Sequence, residues 1–483
     1  MKNELFRAKD VDVVIGNVPF LHHLDFTLFT GESLGVLGTF DSGKWALLEL
    51  LEGGVTPTEG TLLYQGKPIW PGKDAWPVVE TIDKHPMLLK SLSIWENLMT
   101  LTADKKLLQP MLRRKQLRYT QILFEEYGVD LDPLAKVEDL TVFQRLLVEI
   151  LKARLKKAQI ILIECFAWEA TPEDYQRLEH LIKRLKEEGT TFVFFAYDML
   201  QLRAIADRIA ILFSGRIVKA VNNTPEQREM LEKATSILYP QREPHISQHQ
   251  RGERVFSANA LRIGEQEILS FDLYKGEIAC IVDPNKSVIN ALRKMVLEGG
   301  TLAEGVLYYK GALLRPLGET RFRDRFVYME HNAYHHYLRG MTVTENICMG
   351  LSKKLSWGGF INRDVIRMLE KEFAALYGEE MLSYPDCRNL TEQEKMALFL
   401  FRLRLHRPVV LLCRNLFAET DMITYQMLAD CLKDLAADGT AVCMMDSNLE
   451  RITDFADRYL FPSDNGPLQE ASHRVVGTFL NWQ

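Results

Sequence analysis

The chain has 483 residues, 47% of them apolar, with a net charge of −6 and seven cysteines. That length calls for two or more domains at about 150 residues each, and the balance of charge gives no general reason to expect nucleic acid. No apolar run approaches the ~18 residues that span a bilayer, and nothing at the N-terminus resembles a signal peptide. The cysteines show neither CxxC pairs nor zinc spacing, which suits a reducing cytosol.

In chain order, an antiparallel β region is predicted over 11–64, interrupted by a loop and a helix. The loop reads Gly38-Thr39-Phe40-Asp41-Ser42-Gly43-Lys44-Trp45, after the apolar run Ser33 to Leu37 and before the helix-like Ala46 to Leu51. In the pattern Gly-x-x-x-x-Gly-Lys-Ser/Thr, glycines let backbone N–H groups wrap a phosphate, the lysine neutralises it and the hydroxyl ligates Mg²⁺. Trp45 offers an indole N–H donor only and cannot ligate a metal. The frame of a phosphate-binding loop is present and its metal chemistry is damaged.

A mostly helical stretch follows over 94–154, containing the basic run Arg113-Arg114-Lys115 to Arg118, read as a solvated helix face. The continuous run Ile160 to Ile163 predicts a buried parallel strand, and Thr191 to Ala196 a second one after a Gly-Thr turn. The polar stretch around 222–254, with Pro240 and Pro244, reads as a linker.

The same order then repeats with an offset of about 245 to 250 residues. Phe26…Gly31-Glu32 answers Phe271…Gly276-Glu277, and Leu51-Glu52-Gly53-Gly54 answers Leu297-Glu298-Gly299-Gly300. Glu96-Asn97 answers Glu345-Asn346, and Ala206-Asp207-Arg208 answers Ala456-Asp457-Arg458. A unit this long is a duplicated domain, not a solenoid repeat. The division predicted is a first domain at 1–224, a linker at 225–254 and a second, more degenerate domain at 255–483.

This order of parts resembles the ATP-binding cassette (ABC) ATPases. The tandem form, with Leu238-Tyr239-Pro240-Gln241-Arg242-Glu243-Pro244 at the junction, resembles the ribose- and galactose-type sugar importers over essentially the whole chain. The resemblance implies two tandem P-loop NTPase domains of α/β class, each with a core mixed sheet, a small antiparallel β subdomain and a helical subdomain. It implies membrane permease subunits as partners, a peripheral place at the inner face of the cell membrane, and a nucleotide sandwich formed within one chain by two cassettes stacked head to tail.

The family's functional positions are largely altered. Ile15 stands for the aromatic that stacks on adenine, and Lys84 for the glutamine that senses the γ-phosphate. The signature loop reads Leu140-Thr141-Val142-Phe143-Gln144, where Val142 and Phe143 add bulk in place of glycines. Glu164-Cys165 replaces the metal partner and general base, and Tyr197 the switch histidine. Glu164 remains a candidate metal contact; Cys165 reads as a small buried filler and Tyr197 as a packed aromatic. In the second half, Asp283-Pro284-Asn285-Lys286-Ser287 replaces the loop, Leu390-Thr391-Glu392-Gln393-Glu394 the signature, Cys413-Arg414 the acidic pair and Ser447 the histidine. There, Glu392 and Glu394 are expected to face a γ-phosphate.

What remains is an ATP site, weak and confined to residues 38–45 of the first half, with Mg²⁺ doubtful and hydrolysis weak or absent. Three functions follow: a pseudo-ATPase cassette subunit that scaffolds or regulates a sugar permease; a working ABC ATPase with unorthodox ligands; or a soluble regulator built from a cassette pair. The permease-docking groove of the family would lie beside Leu92–Leu98 and Met341–Ile347, where a helix start is the plainer reading of Glu96-Asn97 and Glu345-Asn346.

Overall fold

The computed structural model describes residues 3–15, 18–39, 42–83, 87–99, 110–164, 172–197, 199–238, 252–263, 267–283, 286–299, 305–318, 322–323, 325–349, 351, 356–357, 360–418, 420–446, 456–463 and 466–471. Phe40, Asp41, Lys84, Cys165, Pro284, Asn285 and Ser447 lie outside them. The chain divides into two compact units, Met1–Pro240 and Gln241–Gln483.

In the first unit, β1 (Glu4–Ile15) and β2 (Val18–Phe29) form an antiparallel hairpin extended by β4 (Glu59–Tyr64) and β5 (Lys67–Ile69). The intervening β3 (Ser33–Leu37) and α1 (Lys44–Glu52) leave that sheet. β3, expected within the antiparallel region, instead pairs in parallel with β8 (Thr191–Ala196) and β9 (Arg208–Phe213). Its five buried residues suit a central strand covered on both sides.

The core sheet runs β10 (Arg216–Asn222), β9, β3, β8, β7 (Ile160–Glu164), β6 (Val79–Ile82). Alternation places Ile161 and Ile163 in one apolar cluster and Ile160 and Leu162 in another, which is why β7 reads as an unbroken apolar run. Helices α2 (Ile94–Met99), α3 (Pro110–Tyr127) and α4 (Val142–Leu155) make the helical part, and α5 (Pro172–Glu187) and α6 (Met199–Arg203) flank β8. The stretch assigned to a linker from 225 opens with α7 (Pro225–Leu238), whose Leu231 is fully buried; an apolar side chain in a polar stretch anchors this helix.

The second unit repeats the plan. β11 (Arg254–Ile263) and β12 (Glu267–Tyr274) pair antiparallel, and β14 (Val306–Tyr309) and β15 (Ala312–Leu313) extend the sheet. Its core sheet holds β13 (Ile278–Val282), β17 (Phe326–Glu330), β20 (Val410–Arg414), β21 (Ala441–Asp446) and β22 (Arg458–Ser463), all parallel. Helix α8 (Ser287–Leu297) follows β13 as α1 follows β3. Among the described residues, no helix is long and apolar enough to cross a membrane.

Candidate functional site

The first unit gathers its candidate residues at the carboxyl ends of β3, β7 and β8, the end where open parallel sheets bind ligands. Gly43 starts α1 with φ +94°, and a Cβ there would lie 2.7 Å from the Phe20 carbonyl oxygen, so only glycine fits. Gly38 is similarly crowded: a Cβ would meet Ser42 Oγ at 2.6 Å. The Ser42 hydroxyl donates to the Thr39 carbonyl at 2.7 Å, and both residues are buried.

Lys44 opens α1 with its side chain folded inward, 8% exposed. Its ammonium lies 2.5 Å from Glu164 Oε1 at the end of β7. It also donates to the Tyr197 hydroxyl at 2.8 Å, just beyond β8, and lies 4.5 Å from the centre of that ring. Tyr197 is therefore more than packing: its oxygen helps to hold the lysine. Trp45 points outward, 49% exposed, edge-on to Phe20 at 5.6 Å.

Among the described residues, few side-chain oxygens at this site are placed for magnesium. Trp45 has none in its side chain, Ser42 Oγ serves the Thr39 carbonyl, and Glu164 serves Lys44. Among the described residues, no group of three or more His, Cys, Asp or Glu gathers as a metal-ligand set. Backbone N–H groups at the start of α1 and the Lys44 ammonium suit a phosphate, provided the ammonium exchanges Glu164 for it.

The second unit has a shorter loop and a different register. Asp283 N–H donates to the Asp446 carbonyl as Gly38 N–H donates to that of Ala196, so Asp283 occupies the place of Gly38. The residue that caps α8 in left-handed conformation is Lys286, φ +59°. Lys286 therefore stands where Gly43 does, and the expected lysine–hydroxyl pair is out of register by one residue. Asp283 is 1% exposed and accepts the Ile289 N–H at 3.0 Å. A carboxylate of the chain itself thus meets the helix N–H groups that would face a phosphate.

β20 shifts the acidic pair likewise. Arg414 pairs with Met445 as Glu164 pairs with Phe195, so Arg414 replaces Glu164 and Asn415 replaces Cys165. Arg414 and Arg293 converge on Glu330, at 3.5 and 3.0 Å, and the Tyr328 hydroxyl donates to the same oxygen at 3.0 Å. Burial, then the Glu330 charge, pushes the Tyr328 hydroxyl well above its ordinary range. The charge at this position is inverted between the units.

Both altered signature loops are helix starts. Thr141 Oγ1 accepts the Gln144 N–H at 3.2 Å while Gln144 accepts the Thr141 N–H at 3.0 Å. Thr391 and Glu394 exchange the same pair at 3.3 and 2.8 Å, giving two capping boxes. Phe143 is buried rather than adding bulk outside. Glu394 also accepts from Tyr384 at 2.8 Å and Glu392 pairs with Lys395 at 2.5 Å. These bonds tie both carboxylates to neighbours within the second unit.

Glu96 and Glu345 cap their helices in the same way, accepting from Ser93 N–H at 2.9 Å and Thr342 N–H at 2.8 Å. The adjacent asparagines do something the sequence did not reveal. Asn97 Oδ1 accepts the Leu89 N–H at 2.8 Å and its Nδ2 donates to the Leu89 carbonyl at 3.1 Å. Asn346 grips Leu338 identically, at 2.8 and 2.9 Å. Each clamp fixes a turn with exposed apolar side chains: Met87 and Leu89 in one unit, Leu338 and Met341 in the other. Ile94, Trp95 and Leu98, within the segment beside which a groove was expected, are buried in the first unit's own core.

Residues 21–164 match the family described as "ABC transporter". The matched residues lie within the first unit, and the second unit repeats its plan of strands and helices. The chain is 23% identical to the "Ribose import ATP-binding protein RbsA 1" of Rhizobium johnstonii, over 99% of this chain and 96% of that protein. It is 23% identical to "Ribose import ATP-binding protein RbsA 2" of Streptomyces coelicolor, over 94% of this chain and 89% of that protein. With the "Ribose import ATP-binding protein RbsA 1" of Rubrobacter xylanophilus the identity is 24%, over 95% and 94%. Along its whole length the chain resembles the tandem-cassette ATP-binding subunits of sugar-type ABC importers.

Proposed function

We propose that this chain is the ATP-binding-cassette subunit of a sugar-type importer, degenerate in chemistry, that scaffolds or regulates a membrane permease at the inner face of the cell membrane. The full-length likeness to proteins named for ribose import supports the sugar-importer part. The observation that carries the pseudo-ATPase part is the Lys44–Glu164–Tyr197 contact beside a Trp45 that cannot ligate metal. A positioned general base contributes ~10²–10⁴-fold. At that position stand Cys165 in the first cassette and, by strand register, Asn415 in the second.

On this reading ATP binds weakly, in the first unit only, without help from Mg²⁺. Gly38, Thr39, Ser42, Gly43, Lys44 and the Trp45 N–H hold the phosphates, along with the intervening Phe40 and Asp41. Lys44 neutralises the phosphate charge after leaving Glu164, and no residue takes a proton from water. The clamped turns at Leu89 and Leu338 are the permease contacts, since exposed apolar residues held rigidly suit a docking surface. Affinity capture of the full chain from membranes tests this. Recovery of a multi-span permease, lost on Met87→Asp with Leu89→Asp, supports it. Recovery of no membrane protein favours a soluble regulator, and Mg²⁺-dependent phosphate release by the unmodified chain favours a working ATPase.

A further inference from the structure

At the amino ends of β17, β20 and β21, the end of the sheet opposite the loop, the second unit has a cleft of about 1120 Å³. Five cations line it: Arg254, Lys275, Lys310, Arg325 and Arg407, against the carboxylates of Glu253 and Asp438. All five are exposed on the walls, while Phe256, Ser257 and Thr440 form a buried floor.

The duplication supplies an internal control. Backbone hydrogen bonds identify the equivalent positions in the first unit without ambiguity. Lys275 N–H donates to the Glu253 carbonyl as Thr30 N–H does to that of Asn3, and Lys310 to Val255 as Gln65 to Leu5. The Arg325 carbonyl accepts from Val409 as that of Val78 does from Gln159. Arg407 and Lys157 are the left-handed residues that end equivalent helices. Arg254 pairs with Tyr274 as Glu4 pairs with Phe29.

The first unit therefore holds Glu4, Thr30, Gln65, Val78 and Lys157 where the second holds five cations. Capping of helix C-termini favours cations here, and Arg325 Nε does donate to the Arg407 carbonyl at 2.6 Å. That need accounts for Arg325 and for a basic residue at the helix end, Arg407 here and Lys157 in the first unit, but not for Arg254, Lys275 or Lys310. Among the described residues, the charges of Arg254 and Lys310 are only partly met. Arg254 reaches Asp272 only at 3.6 Å, and Lys310 lies over the Tyr309 ring at 5.4 Å. In a chain of net charge −6, such a concentration of positive charge in a recess is costly without an anion to meet it.

We propose that this cleft binds a small phosphorylated molecule carrying two or more anionic groups. The volume lies slightly above the ~300–1000 Å³ usual for a small-molecule site, and the recessed floor suits a compact ligand better than a flat bilayer. The site is separate from the phosphate loop and does not depend on whether that loop takes nucleotide.

Pyrophosphate is the probe, titrated calorimetrically into the full chain without Mg²⁺ and in a Lys44→Ala background, so that the loop contributes nothing. Saturable binding with one site, weakened at least tenfold by Lys275→Gln with Lys310→Gln, is expected. Among the described residues their side chains carry no capping bond, and an unchanged circular dichroism melt verifies the fold. Absence of saturable binding, or equal binding by the double variant, overturns the proposal. So does sedimentation with phosphatidylserine vesicles that depends on these lysines while pyrophosphate fails to bind, because that outcome assigns the charge to a lipid surface.

Discussion

The Lys44 ammonium lies 2.5 Å from the Glu164 carboxylate, so the loop lysine already has a counter-charge from its own chain. Phosphate must displace that carboxylate, and the exchange costs affinity. Glu164→Gln keeps the shape and removes the charge. ATP binding measured without Mg²⁺ is expected to tighten by about tenfold, the size of a modest electrostatic contact. Unchanged or weaker binding would show that Glu164 does not compete with phosphate.

Lys44→Ala is expected to abolish nucleotide binding, and Lys286→Ala to leave it unchanged, in the same titration. Lys286 sits at the left-handed cap of α8, the place that Gly43 rather than Lys44 holds in the first unit. Loss of binding through Lys286 instead would place the nucleotide in the second unit.

Asp283 tests the self-occupied site. Asp283→Ala strands the Ile289 N–H at a buried helix start and is expected to cost ~1–2 kcal/mol, read from denaturant melts. It should not create a second ATP site, because the loop remains two residues shorter than 38–43. A second site by calorimetry would contradict this account of the second unit.

The two asparagine clamps should behave as a pair. Asn97→Ala or Asn346→Ala leaves the part-buried N–H of Leu89 or Leu338 without its partner, while the carbonyl keeps the N–H of Leu92 or Met341, for a cost of ~1 kcal/mol in each unit. Hydrogen exchange should quicken at Leu89 or Leu338 respectively, and only there if the clamp is local. Protection unchanged at both amides would refute the clamp.

Asp207 gives the chain a defined acid sensitivity. Burial works against its ionisation, but the Lys186 ammonium at 2.5 Å and the Ser33 N–H at 2.9 Å outweigh it and hold the carboxyl below the ordinary range. The folded form therefore binds its proton less readily than the unfolded chain. This stability is present at neutral pH and is lost as pH falls from about 4 downwards. Asp207→Asn is expected to cost ~1 kcal/mol at neutral pH, discounted for partial exposure, and to flatten the acid limb of a pH–stability profile.

Much of this was legible from residues close together in sequence. Gly38, Gly43 and Lys44 signal the loop because helix entry demands a left-handed residue there, and ordered matches such as Asp207 with Asp457 reveal the duplication. The Lys44–Glu164–Tyr197 contact was not legible, since strand order alone brings the three together. Thr141-x-x-Gln144 and Thr391-x-x-Glu394 illustrate a different failure. Both spell a capping box, yet as damaged signatures they invited comparison with glycines they no longer contain. The register of the second unit was hidden by two separate shifts: the loop after Asp283 is two residues shorter, which sets Lys286 against Gly43, and β20 begins at Val410 rather than Val409, which sets Arg414 against Glu164. Leu231, a single buried side chain, makes a helix of what composition marks as linker.

The central claim is that the first cassette holds nucleotide without a working metal site. The most direct test is the equilibrium affinity of the full chain for ATP, measured with and without Mg²⁺. The account predicts weak binding of equal strength in both conditions. Binding tightened tenfold or more by Mg²⁺ would contradict it.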